Sequence, residues 1–125
     1  MSRRTHRLTM AQALVRHLVV QRTEVEGRDV PLFAGLWAIF GHGNVPALGE
    51  ALQAHRDALP TWRGQNEQSM VHIASAYAKQ MRRRRMMAVT SSVGPGASNL
   101  LTGAATAYVN RLPVLLLPGD TLASR

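Results

Sequence analysis

With 125 residues the chain has room for about one domain, and 46% apolar residues with 10 Gly and 6 Pro mark a globular rather than a disordered composition. The absence of cysteine excludes disulfides, thiolate metal sites and cysteine nucleophiles, and it fits a cytoplasmic protein. The net charge of +8 is carried almost wholly by arginine, yet no helix-turn-helix, zinc-finger or RNA-binding signature accompanies it, so no nucleic-acid partner is expected.

In chain order, the basic N-terminus "MSRRTHRLTMAQALVRHLVVQR" carries no small-residue cleavage site after an apolar core. It reads as an amphipathic helix, not a secretory signal. Thr9 caps a helix over about 10–22, with Leu14 and Leu18 inward beside Val15 and Val19. "TEVEGRDVPLFA" is a polar connection, and Leu36–Phe40 a short buried strand. After "GHGN" a second helix runs over about 45–55, with Ala47, Leu48, Ala51 and Leu52 inward. Thr61–Arg63 is a weak strand. Asn66 caps a third helix whose Met70, Ile73, Ala74, Tyr77 and Met81 follow the helical period. Met86–Ser91 is a strand, and Arg82–Arg85 before it reads as a solvated turn. "VGPG" is a tight loop, and a small-residue helix covers about 97–110. Pro113–Leu117 is apolar at every position, as expected of a strand covered on both faces. No stretch of about 18 apolar residues predicts a membrane span.

The order is a helix, three strand–helix units and a last strand. This predicts an α/β fold, an open, mainly parallel sheet with helices on both faces. A doubly wound domain lays another helix over its last strand. The closing "TLASR" therefore reads as a domain truncated at its C-terminal end.

Ligands of such sheets sit beyond the carboxyl ends of the strands. "GHGN", "GQNEQ", "SSVGPGASN" and "PGD" all fall there. "GPG" precedes a helix N-terminus but lacks the Lys and Ser/Thr of a P-loop. Glu67 alone is explained by the helix macrodipole, which favours a first-turn carboxylate by about 0.3–1 kcal/mol. The five histidines show no metal-ligand spacing, and no metal site is predicted within the chain.

Together, "IFGHGN", "GQNEQSMVHIASAYAKQ", "TSSVGPGASNLLTGAATA" and "LPVLLLPGD" resemble, in that order, the pyrimidine-binding domain of thiamine-diphosphate-dependent enzymes of the acetolactate-synthase-like superfamily. "GHGN", "NEQ" and "SSVGPG" are worded as in the hydrolases that open a trihydroxycyclohexane-dione ring in myo-inositol catabolism. Acetolactate synthases carry a Tyr-Pro-Gly type loop and "TSGPG". The resemblance runs from about Leu8 to Arg125. It implies that Glu67 hydrogen-bonds the N1′ nitrogen of the cofactor's aminopyrimidine and promotes the tautomer that activates the thiazolium carbon. It places His42 and Asn44 in a loop facing substrate and cofactor, with Gln68 at the same mouth. Gly94, Pro95 and Gly96 match the loop that approaches the cofactor, and Asn99 begins the helix after it. Asp120 stands where acetolactate synthases have Gln and does not inherit that role.

The resemblance implies thiamine diphosphate and Mg2+ as cofactors and a cyclic polyol-derived dione as substrate. It further implies a homodimer or higher homo-oligomer that shares active sites through the small-residue helix. The family's Gly-Asp-Gly motif, which holds the metal and diphosphate, does not occur in the sequence. The chain is thus expected to be the N-terminal part of a pyrimidine-binding domain, without turnover on its own. Two alternatives remain open at this point. One is an acetolactate-synthase-like lyase or transferase. The other is a non-catalytic α/β module that uses Arg82–Arg85 on an anionic partner.

Overall fold

The computed structural model describes residues 5–120. The closing segment 121–125, on which the expectation of a truncated end rests, lies outside the described residues.

Helix α1 spans Met10–Val20. The Thr9 hydroxyl accepts from the Gln12 amide at 3.2 Å, and the Gln12 side chain accepts from the Thr9 amide at 3.0 Å. This capping box satisfies two N-terminal donors that the helix itself leaves free. Val15 and Leu18 are its buried residues. The helix stops short of Arg22 because Arg22 opens a strand. The expected polar connection is an antiparallel hairpin, β1 Arg22–Val25 and β2 Arg28–Pro31. Its two-residue turn has φ of 53° at Glu26 and 73° at Gly27. Positive φ at both central residues matches the right-handed twist of paired strands.

The main sheet is parallel, in the order β4-β3-β5-β6, with β3 Phe33–Ala38, β4 Thr61–Arg63, β5 Met86–Thr90 and β6 Leu115–Leu117. Strand β3 starts three residues earlier than the sequence suggests. Successive side chains leave opposite faces of a strand, and each face has its own core. Leu36, Ala38, Ala88, Leu115 and Leu117 meet Val15, Leu18, Leu48 and Leu52 on one side. Trp37, Met87, Val89, Val114 and Leu116 meet Met70, Val71, Ala74 and Leu100 on the other. The sheet is therefore covered by helices on both faces. Strand β6 faces both cores, but its three residues stay half-buried, because among the described residues no strand lies on its outer edge.

"GHGN" is helical rather than a loop. It forms α2, Gly41–Asn44, which continues through a π-turn, Val45–Gly49, into α3, Glu50–Gln53. Pro46 has no N–H to continue the regular ladder, and the wider π-turn absorbs the defect. Helix α4 spans Glu67–Gln80, capped by Asn66 as expected. Its buried face is Met70, Val71, Ala74, Ser75 and Ala78, whereas Ile73 is 43% exposed. The face is turned from the expected stripe because α4 packs on both β5 and the helix after it. That second neighbour seats Gly103 against Val71. The single helix expected over 97–110 is two, α5 Pro95–Asn99 and α6 Leu101–Val109. Asn99 therefore ends a helix rather than beginning one.

Candidate functional site

Parallel register brings the carboxyl ends of all four strands to one edge, and the four loops meet there. The segment after β5 is the hub. Ser91 is fully buried, and its carbonyl accepts from the Gly119 amide at 3.1 Å and from the Asn44 side chain at 3.5 Å. Thr90 donates to the Leu117 carbonyl at 2.9 Å. "GHGN" and "PGD" are thus held against "SSV". Gly41, at φ 70°, comes so close that a Cβ there would lie 2.8 Å from that of Ser92.

Glu67 is the first residue of α4. The Asn66 side chain accepts from the Ser69 amide at 2.9 Å, which fixes where the helix starts and so where Glu67 projects. The carboxylate is half-buried. Its Oε2 accepts from Asn99 Nδ2 at 2.9 Å. Its Oε1 lies toward Gly96, where an added Cβ would be 2.9 Å away. A Cβ at 96 would meet the Ser92 hydroxyl first and this oxygen next, so glycine keeps both clear. Glu67, Pro95, Gly96, Ser98 and Asn99 together line an open cleft of about 630 Å³. Gly94, with φ 57° and ψ −114°, makes the turn that delivers Pro95 to the first position of α5.

Four of the predicted site residues, Glu67, Pro95, Gly96 and Asn99, therefore share one cleft, with Gly94 adjacent in the chain. The others sit apart. His42 is exposed on α2 and lines a second cleft of about 670 Å³ with Ile39, Phe40, Arg63 and Gln65. The Asn44 side chain is turned to the Ser91 carbonyl. Gln68 points along α4, with its amide 3.3 Å from the His72 ring. Arg63 and Gln65 were not singled out from the sequence. The signal was their position at the end of a strand on the ligand edge, masked by the brevity of β4. Among the described residues no three His, Asp or Glu side chains cluster to hold a metal ion. No helix among them is long and apolar enough to cross a membrane.

Comparison with known proteins shows the family. The family described as "Thiamine pyrophosphate enzyme, N-terminal TPP binding domain" matches residues 36–124. The chain is 52% identical over 122 residues to a 3D-(3,5/4)-trihydroxycyclohexane-1,2-dione hydrolase of Shouchella clausii, covering 98% of this chain and 19% of that protein. It is 50% identical to the hydrolase of that name from Listeria innocua, over 100% of this chain and 20% of the relative. The Bacillus subtilis protein of that name is 51% identical over 95% of this chain and 19% of its own length. The chain thus spans about a fifth of the length of the curated relatives it matches.

Proposed function

The chain belongs to the thiamine pyrophosphate enzymes, as their N-terminal TPP-binding domain, and from that premise we propose that it is the cofactor-activating part of a hydrolase that cleaves a C–C bond of a cyclic 1,2-dione. The reaction would convert trihydroxycyclohexane-dione to a deoxyglucuronate, in cytoplasmic myo-inositol catabolism. Identity of about 50% to relatives that bear the hydrolase name supports this substrate. The observation that carries the reading is the two-sided setting of Glu67, one oxygen held by Asn99 and the other facing Gly96.

The residues present fit the aminopyrimidine of thiamine diphosphate. A flat ring with a basic nitrogen needs one free carboxylate oxygen and an edge without a Cβ, and Glu67 Oε1 and Gly96 supply both. When bound, the cofactor supplies the electron sink for breaking a C–C bond next to a carbonyl. The protein's part is proton control and orientation. Glu67 holds or shares a proton at Oε1, while Oε2 stays fixed by the Asn99 amide. Pro95 and Gly96 form the wall of the cleft. Gly94 sets the turn before them. His42, with Asn44 behind it, offers a donor on the substrate side of the same sheet edge, and Gln68 flanks Glu67.

The diphosphate and its Mg2+ would be held by residues other than these, since the sequence has no Gly-Asp-Gly. The 125 residues alone would bind the cofactor weakly and turn nothing over. Two copies would share active sites across α6, whose Leu101, Tyr108 and Val109 are exposed. The test is Glu67→Gln in the complete gene product that carries this chain, assayed for opening of the dione ring. Loss of proton control by a positioned side chain lowers kcat by about 10²–10⁴-fold. A variant that folds and keeps wild-type kcat would sink the reading.

A further inference from the structure

We propose that Asn99 is the positioning residue for Glu67, and that the close seating of α5 and α6 on α4 serves to bring its amide within reach. The inference rests on the reading of Glu67 given above. Gly96, Asn99, Gly103 and Ala107 recur at i, i+3, i+7 and i+11, so they share the face turned to α4. Gly103 is buried, and a Cβ there would lie 2.6 Å from Val71 Cβ and 3.3 Å from the Gln68 carbonyl. Only a residue without a side chain allows that approach, and the contact spans Val71 and the carbonyl of Gln68, the residue after Glu67. Ala107 is 6% exposed.

Asparagine is short. Its amide spans the gap to the carboxylate at 2.9 Å because the two backbones are this close. A carboxylate only accepts, so the amide nitrogen is the end that faces it. A neutral donor adds no positive charge that would compete with an incoming ring for Oε1. It also occupies Oε2, which leaves Oε1 as the oxygen presented to the cleft. Asn99 therefore acts on a ligand through Glu67.

The experiment is a double-mutant cycle in the complete gene product, read as the Kd for thiamine diphosphate by titration calorimetry. Asn99→Ala weakens binding by roughly tenfold, as expected for a lost hydrogen bond to a charged group. Asn99→Asp keeps the shape, removes the donor and places a second carboxylate beside the first, so it weakens binding further. In a Glu67→Ala background, Asn99→Ala has little additional effect. A residue that merely packs would give another order, with Asp equal to Asn and only Ala impaired. That result, or an Asn99→Ala effect of equal size with and without Glu67, overturns the proposal while leaving Glu67 its role. If Glu67→Ala alone leaves thiamine diphosphate binding unchanged, the underlying reading falls, and this one with it.

Discussion

At the scale of the residue, the site depends on two atoms of one carboxylate having different surroundings. Glu67 Oε2 is engaged by Asn99, and Oε1 faces a glycine. Taken alone in the sequence, Glu67 is explained as a dipole-complementing residue of a first helical turn, and only the resemblance gives it a cofactor role. Local chemistry does not reveal the Asn99 contact, because that partner lies 32 positions along the chain. Gly94 is clearer. Its φ of 57° and ψ of −114° lie where side chains with a Cβ are strained, although open space surrounds the position. Gly94→Ala should therefore cost about 1–3 kcal/mol through backbone strain and not through a clash. Urea denaturation should show a lower midpoint with an unchanged slope. A midpoint equal to wild type would show that the turn can relax.

At the scale of the element, the arginine run is the expected exposed turn and also a staple. Arg82 and Arg83 have positive φ, at 50° and 63°, and so reverse the chain after α4. Arg83 donates to the carbonyls of Asn110 at 3.2 Å and Arg111 at 3.0 Å, just past the C-terminus of α6. A cation there satisfies free carbonyls and complements the helix dipole. Arg84 lies 3.8 Å from Glu26 in the hairpin turn, and Arg85 donates to the Pro31 carbonyl at 2.8 Å. Three of the four charges are thus committed within the chain, which disfavours an anionic partner at this run. Arg83→Ala should destabilise by about 0.5–1.5 kcal/mol, the net worth of exposed hydrogen bonds. An unchanged thermal midpoint would mean that water replaces the guanidinium at no cost.

The strands and the capped helices were legible in the sequence because their signals are local. Thr9 and Asn66 cap where expected, and Thr61–Arg63 is a strand as expected. The hairpin was not, since β1 alternates only between exposed and half-buried residues and β2, with Arg28 and Asp29 both exposed, does not alternate at all. The buried face of α4 was legible in part: Met70 and Ala74 are buried as expected. Ile73 is exposed, whereas Val71, Ser75 and Ala78 are buried, with Gly103 of α6 seated against Val71. The Ser75 hydroxyl pays no desolvation penalty there, because it donates to the Val71 carbonyl at 2.8 Å.

At the scale of the whole molecule, the parallel sheet gathers four loops at one edge, and the two cores beneath hold them in register. The parallel sheet and its ligand edge followed from the strand–helix alternation. The division of that edge into two clefts did not, because it depends on α2 being helical where glycines suggest a loop. The central claim is that Glu67 activates thiamine diphosphate. The most direct measurement is the rate of hydrogen–deuterium exchange at the cofactor's thiazolium carbon in the complete, cofactor-loaded protein, compared with its Glu67→Gln variant. The account predicts a fall of about 10²-fold or more, with cofactor still bound at saturating concentration. An exchange rate unchanged in Glu67→Gln would contradict it.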